Sequence, residues 1–404
     1  MTATIPNTDI MSAAFKADPF PFFAQLRAEA PVYPTTLGGK LPAWLVTRYA
    51  DAHALLLDER FAKNRRSTLT PEQLRQLPWM PPMFRPLETN MLDQDPPDHT
   101  RLRALVHKAF TPRIIEQMRA RVQSLTDELL DTAQARGEMD LIHDFALPLP
   151  MTIITEILGV PKQDQGKFRD WSQVVVSVNP MTGSLRAIPS LWLFLRYVRG
   201  FFKRRRTDPR DDLTTALIQA EESGDRLSED ELVAMVFLLL IAGHETTVNL
   251  IGNGTLALLE NPDQLERLRR DPALVKPAVE ELLRFTAPVL LATERYARED
   301  LSLGGVTIPR GGAALAVIGS ANRDAAVFAD PDVLDIGREN NRHLGFGHGI
   351  HYCVGAPLAR LEAQIALDAL VRRLPNLKLA CPPERLRWRK SLILRGLESL
   401  PVRF

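Results

Sequence analysis

His343-Leu344-Gly345-Phe346-Gly347-His348-Gly349-Ile350-His351-Tyr352-Cys353-Val354-Gly355-Ala356-Pro357-Leu358-Ala359-Arg360 is the stretch on which the reading of this chain turns. Glycines at 345, 347, 349 and 355 mark a backbone that takes positive φ or admits something at close range. Pro357 suits the first turn of a helix, and Leu358, Leu361, Ile365 and Ala369 carry a helical apolar spacing onward. The helix N-terminus therefore falls just beyond the sulfur of Cys353. Its unsatisfied N–H groups and positive dipole end favour a thiolate there.

Three readings fit a cysteine in this setting. The first is a structural thiol in a turn. The second is a zinc site, with His343, His348 and His351 close by, although zinc sites normally pair their ligands at short, defined spacings. The third is a haem held by one axial thiolate. The run Phe346-Gly347-x-Gly349-x-His351-x-Cys353-x-Gly355 meets every fixed position of the haem-binding loop of the cytochrome P450 family. On that run the chain resembles a soluble bacterial haem-thiolate monooxygenase.

Working outward, the composition is ordinary for a globular protein: 404 residues, net charge +1 and 45% hydrophobic residues. So small a charge gives no reason to expect nucleic acid or a membrane surface as a partner. Two cysteines, Cys353 and Cys381, make no disulfide framework and point to a reducing compartment. The segment from Met1 to Phe23 lacks the basic and apolar regions of a signal peptide. No run reaches the roughly 18 apolar residues of a membrane span. The longest, Leu232 to Ala242, reads as a buried helix. The expectation is one cytoplasmic, monomeric domain over 1–404, with 1–17 flexible.

Along the chain, a short helix is predicted near Pro21–Ala30. Strands follow at Val32-Tyr33 and Ala43–Thr47 around a Gly38-Gly39 turn, then a helix over Tyr49–Leu57. Thr70 and Gln73 form a capping box. Pro78, Pro81, Pro82 and Pro86 forbid a continuous helix between Trp79 and Phe84 and beyond. That apolar loop is either plain packing or, if the resemblance holds, a substrate contact. Residues 113–160 and 162–222 read as mostly helical, with breaks at Pro148, Pro150, Pro161, Pro180 and Pro189. The Val174–Leu195 segment is expected to form part of a mobile lid. Lys203–Arg206 is expected to be a solvated loop, and Asp211-Asp212-Leu213 a helix start.

Ser228 and Glu231 open another helix as a capping box. Its apolar run meets Ala242-Gly243-His244-Glu245-Thr246-Thr247. A mid-helix Gly, paired threonines and a Glu at the end of a buried run break several local rules at once. Such violations mark function more often than they mark nothing. The sextet matches the family's [A/G]-G-x-[D/E]-T-[T/S]. The resemblance implies a locally distorted helix across the haem, with Thr246 hydrogen-bonding dioxygen and Glu245 relaying protons.

The remaining assignments rest on the resemblance. Asp95-Pro96-Pro97-Asp98-His99-Thr100-Arg101-Leu102-Arg103 meets the pattern D-P-P-x-H-T-x-x-R. It implies that His99 and Arg103, four apart on one helical face, bind haem propionates, together with Arg295 and His351. Phe346 and Gly347 border the haem, and Cys353 ligates its iron. Glu281 and Arg284 form the E-x-x-R pair, with Arg338 as the third partner, in a structural role. Val289, Leu290 and Leu291 on a strand after Pro288, Ala242, and Ile393 and Leu394 at the tip of a turn over 392–397 are candidate pocket residues.

The implied fold is mainly α with small β-sheets (α+β): a triangular helical prism with haem b, iron protoporphyrin IX, between a long distal helix and the proximal Cys loop. The implied function is hydroxylation or epoxidation of a hydrophobic small-molecule substrate with dioxygen. No Rossmann fingerprint or four-cysteine set is present. Electrons are thus expected from a ferredoxin-type donor, with Arg101, Lys108 and Arg113 as docking cations. A peroxide-driven peroxygenase and a non-catalytic haem sensor or carrier are the alternatives, and neither needs Glu245-Thr246.

Overall fold

The computed structural model describes residues 8–37, 41–75, 89–109, 111–177, 187–222 and 227–404. Its α-helices are α1 (Ala13–Ala17), α2 (Phe20–Glu29), α3 (Tyr49–Leu57), α4 (Pro71–Arg75), α5 (Asp98–Ala109), α6 (Pro112–Gln117), α7 (Arg119–Gln134) and α8 (Pro148–Ile157). They continue with α9 (Lys162–Ser177), α10 (Ala187–Thr207), α11 (Leu213–Glu222), α12 (Glu229–Glu260), α13 (Pro262–Arg270), α14 (Val275–Thr286), α15 (Ile318–Ala321) and α16 (Ala356–Arg373). The strands are β1 (Val32–Leu37), β2 (Leu41–Val46), β3 (Phe61–Ala62), β4 (Glu138–Asp140), β5 (Arg295–Ala297), β6 (Leu301–Leu303), β7 (Val306–Ile308), β8 (Ala313–Ala316), β9 (Lys378–Leu379) and β10 (Pro401–Arg403).

The chain forms two compact units. One comprises Met1–Leu69, Arg119–Leu147 and Thr246–Phe404, and the other Thr70–Met118 and Pro148–Glu245. All the strands belong to the first. They form a sheet ordered β1-β2-β8-β5-β3, a second ordered β4-β10-β9, and the pair β6-β7. Strand β8 is buried along its whole length and pairs in parallel with β2, so Ala313 to Ala316 supply a thin, apolar centre. Trp44, Val46, Leu55, Leu56, Phe61 and Ile308 pack against one face of this sheet. Phe23, Leu26, Leu45, Leu290, Leu291 and Leu315 form a second cluster. A third joins α13, α14, α16 and the end of α12 through Leu258, Leu265, Leu282, Leu334 and Leu367. Leu334 is thus an ordinary core residue.

The other unit is helical throughout its described residues, with α11 packed on α5 and α10 on α9 and α11. Local chemistry sets its helix starts. Thr70 N–H donates to Gln73 Oε1 at 2.9 Å and Gln73 N–H to Thr70 Oγ1 at 3.3 Å. Asp212 Oδ1 accepts from Thr215 N–H at 2.8 Å to open α11.

Several expectations need correction. Lys203–Arg206 is the last turn of α10 and not a loop. Arg205 is buried, its Nε donating to Asp212 Oδ2 at 2.7 Å and an Nη to the Gly159 carbonyl at 2.6 Å. Pro148, Pro150 and Pro189 lie in first turns, where a missing N–H costs nothing, so they start α8 and α10 and do not break them. Residues 13–17 form α1, capped by Ser12 and burying Phe15 and Lys16. The segment after Pro288 makes only an isolated bridge, Val289 to Leu394. Helix α12 is long and apolar enough to cross a membrane by length and composition, and most of it is buried in the protein. The Gly38-Gly39 turn, the loop around Trp79–Phe84 and the middle of the 174–195 segment lie outside the described residues.

Candidate haem and oxygen-activation site

The Cys353 loop is built by its own backbone. Gly347 and Gly349 take φ of 71° and 73°, the left-handed region that glycine tolerates. A Cβ on Gly349 would lie 2.9 Å from the Leu56 carbonyl oxygen, so α3 admits only glycine there. Gly347 N–H donates to the Leu344 carbonyl at 2.8 Å, and Cys353 N–H to the Phe346 carbonyl at 2.9 Å. The loop closes on itself and presents the Cys353 side chain at an exposed position. Helix α16 starts three residues later, with Pro357 in its first turn.

Two ion networks, one buried and one part-exposed, hold this loop's surroundings. Glu281 and Arg284, both fully buried on α14, pair at 2.7 Å through two parallel bonds. Arg338 Nε donates to both Glu281 oxygens at 3.1 Å, and Asn341 Nδ2 adds a bond at 3.0 Å. Arg284 also donates to the carbonyls of Asn322 and Pro331 at 2.9 and 2.7 Å. Every charge in the cluster is answered, the condition under which buried ions are tolerated. The sequence did not reveal the second network. Glu280 accepts from Arg360 at 2.7 and 2.8 Å and contacts His343 Nε2 at 3.0 Å, tying α14 to α16. Burial alone would raise the Glu280 carboxyl, but the bonds from Arg360 and His343 override it and hold it down at about 2. Glu280 and Arg360 are 80 residues apart, so no spacing rule marks them.

Arg295 is buried on β5 beside Ala314 of β8. Of the pocket candidates in this unit, Val289, Ile393 and Leu394 are part-exposed. Leu290 and Leu291 are fully buried and belong to the core cluster of Phe23 and Leu45.

In the helical unit, His99 is buried in the first turn of α5, and Arg103 is half-buried one turn on. Arg101 does not stand ready for a partner: it is hydrogen-bonded to Glu231, the residue that caps α12, and lies 3.6 Å from Asp98. Arg113 is exposed.

Helix α12 opens as its sequence dictates, with Ser228 N–H donating to Glu231 Oε2 at 2.7 Å and Glu231 N–H to Ser228 Oγ at 3.2 Å. Its α-helix continues through Ala242–Thr247. Gly243 earns its place by packing: a Cβ would sit 3.1 Å from Ile154 of α8. His244 is fully buried, with Nδ1 donating to the Leu240 carbonyl at 2.6 Å and Nε2 3.6 Å from Glu245 Oε1. Glu245 is buried too. Ala242 is exposed and Thr246, one turn on, is part-exposed, in a helix whose neighbouring positions are mostly buried.

Comparison with known proteins bears on this arrangement directly. The family profile "Cytochrome P450" matches residues 193–393. Cytochrome P450 107B1 of Saccharopolyspora erythraea is 48% identical over 404 residues, covering 100% of this chain and 99% of the relative. The chain belongs to the cytochrome P450 family. The 6-deoxyerythronolide B hydroxylase of the same organism is 43% identical, covering 99% of both chains. The solved structure of PksS, the P450 of the Bacillus subtilis bacillaene polyketide synthase, superposes with a TM-score of 0.90 at 42% identity, covering 98% of this chain and 99% of PksS. This P450 has the family's fold, mostly helical with small sheets, and is an oxidoreductase of the monooxygenase class.

Members of the family bind haem b, and the residues present here fit it. Both cysteines are thiols, and among the described residues no group of three or more His, Cys, Asp and Glu side chains is placed to hold a bare metal ion. A single thiolate on an open, glycine-lined loop at a helix start is the donor set of a haem and not of zinc.

Proposed function

We propose that this P450 hydroxylates or epoxidises a hydrophobic, mid-sized organic substrate of polyketide type, with electrons supplied by a separate ferredoxin and its reductase. The observation that carries the reading is the adjacent pair Glu245 and Thr246 on α12, with the accessible face of Ala242 and Thr246 beside it. The polyketide class is supported by the printed names of PksS and of the 6-deoxyerythronolide B hydroxylase. The protein acts as one cytoplasmic, monomeric haem domain.

The haem, when bound through the Cys353 thiolate, supplies the iron at which dioxygen is reduced and one oxygen atom passes to the substrate. His99, Arg103, Arg295 and His351 would hold the two propionates through charge-assisted bonds, each worth about 1.5–3 kcal/mol. Phe346 and Gly347, on the Cys353 loop, would border the haem. The reaction consumes dioxygen, two electrons and two protons for each C–H bond converted to C–OH, and releases one water. The Thr246 hydroxyl would serve as the proton donor on the distal helix, and the Glu245 carboxyl would relay protons to it. Val289, Ala242, Ile393 and Leu394 line the substrate's apolar surface.

Turnover under isotopically labelled dioxygen tests the reaction. One labelled atom is expected in the product, and label derived only from water rejects the reading. A panel of a macrolactone, a steroid, a terpenoid and a fatty acid, scored by the low-to-high-spin shift of the haem, tests the class. The largest shift is expected with the macrolactone, and a fatty acid that outperforms it overturns the polyketide assignment.

A further inference from the structure

Helix α1 has no place in the haem chemistry, yet it buries a lysine. Lys16 is fully buried in its last turn. Its Nζ donates to the Leu392 carbonyl at 3.1 Å, across 376 residues of sequence. The contact is reciprocated. Arg395, in the same turn as Leu392, sends its Nε to the Lys16 carbonyl at 2.8 Å and an Nη to the Ala17 carbonyl at 3.0 Å. Its other Nη donates to the Thr286 carbonyl at 3.1 Å, at the end of α14. The guanidinium lies 3.9 Å from the Trp388 ring centre, which fixes its plane. Phe15, next to Lys16, enters the core cluster that holds Leu290 and Leu291, with Leu392 packed against it.

The gripped turn carries Ile393 and Leu394. Its opposite edge is bonded to the segment after Pro288: Leu290 N–H donates to the Ile393 carbonyl at 2.7 Å, and Arg395 N–H to the Pro288 carbonyl at 3.0 Å. One edge of the turn is thus fixed by backbone pairing and the other by two buried basic side chains, Lys16 reaching in from α1 and Arg395 reaching back from the turn to α1. An unpaired buried cation is costly, so a lysine in this position needs the carbonyl it has found. An apolar residue would satisfy the core equally well but would leave Leu392 without this bond.

We propose that Lys16 and Arg395 form a reciprocal clamp between α1 and the 391–395 turn, and that Lys16 is a positioning residue that sets where Ile393 and Leu394 stand and so which ligands the pocket accepts. The specificity half rests on the reading of Ile393 and Leu394 as pocket residues. Lys16→Met keeps the volume and removes the donor; Lys16→Arg keeps a donor at the chain's end.

The test uses the haem-loaded full chain. Amide hydrogen exchange is followed at Leu290 and Arg395, and binding of imidazole and of 4-phenylimidazole by absorbance. Imidazole reads only the haem, whereas the phenyl ring reads the pocket wall. In Lys16→Met, exchange at both amides should accelerate at least roughly tenfold. The preference for 4-phenylimidazole over imidazole should change at least about threefold, with imidazole affinity unmoved and Lys16→Arg restoring both. Unchanged protection at Leu290 and Arg395 in Lys16→Met overturns the clamp. Faster exchange with an unchanged azole preference overturns its role in specificity and refutes Ile393 and Leu394 as pocket residues. If Lys16→Met does not fold, Lys16→Arg alone decides: wild-type protection and preference uphold the donor role, and loss of both defeats it.

Discussion

Thr246 and Glu245 are neighbours on α12, the first part-exposed and the second buried, and replacing Thr246 tests the proposed chemistry. With Thr246→Ala, product formed per NADH consumed should fall on the order of 10²-fold, the usual worth of a placed proton donor. Hydrogen peroxide should account for the missing electrons, and the haem spectrum should stay as it is. Lys16 makes a different kind of residue-level claim. Burial, followed by the charge of Arg395, lowers its pKa from 10.5 to about 7 against a weaker opposing pull from Asp9. Between those two values the unfolded chain binds more protons than the folded one, so this group's contribution to stability rises with pH from about 7 towards 10.5. Below 7 both states are charged and the buried cation exacts its full cost. Urea unfolding of wild type and Lys16→Met should show the wild type gaining relative stability on the order of a few kcal/mol across that range. A constant difference would show that Lys16 titrates normally.

Helix α14 and helix α16 are joined by Glu280 and Arg360, and that pair anchors the helix that follows the Cys353 loop. The Glu280 carboxyl is held at about 2, below its ordinary 4.5. Its stabilisation is therefore complete above about pH 4.5 and is lost as pH falls towards 2. Glu280→Gln should cost about 2 kcal/mol at neutral pH, a figure reduced for partial exposure. The difference from wild type should vanish by the bottom of that window, as read from denaturant unfolding at a series of pH values. Elements of this kind differ in how far sequence reveals them. The 49–57 helix, the Thr70 and Ser228 caps and the start of α16 are written locally, in spacing and capping residues, and could be read off. The Lys203–Arg206 turn could not, because four consecutive cations resemble solvated coil until Asp212 and the Gly159 carbonyl are found beneath Arg205. Helix α1 spans five residues, too few for periodicity, and its key residue is a lysine that composition assigns to solvent. Strand β4 exists only through pairing with β10, some 260 residues away, and nothing local announces it. The site follows the same division. Cys353, Glu245 and Thr246 stand in contiguous motifs, whereas the Glu280–Arg360 brace and the Lys16–Arg395 clamp depend on long-range closure. Leu290 and Leu291 are buried in a core cluster, and a core residue and an apolar pocket residue look alike in one dimension.

At the scale of the whole molecule, two compact units share one helix: α12 begins in the helical unit and ends in the one that carries the sheets and Cys353. Its apolar length, which would suit a membrane, is used for burial inside the protein. Its start at Ser228–Glu231 is capped and charged, and Glu245 is buried midway along its 32 residues. The proposal that Cys353 holds the haem is open to a single direct measurement. The reduced protein is exposed to carbon monoxide and its absorbance recorded, for wild type, Cys353→Ser and Cys381→Ser. The strongly red-shifted Soret band of a thiolate-ligated haem should appear in wild type and in Cys381→Ser and be absent from Cys353→Ser. Retention of that band in Cys353→Ser would contradict the account.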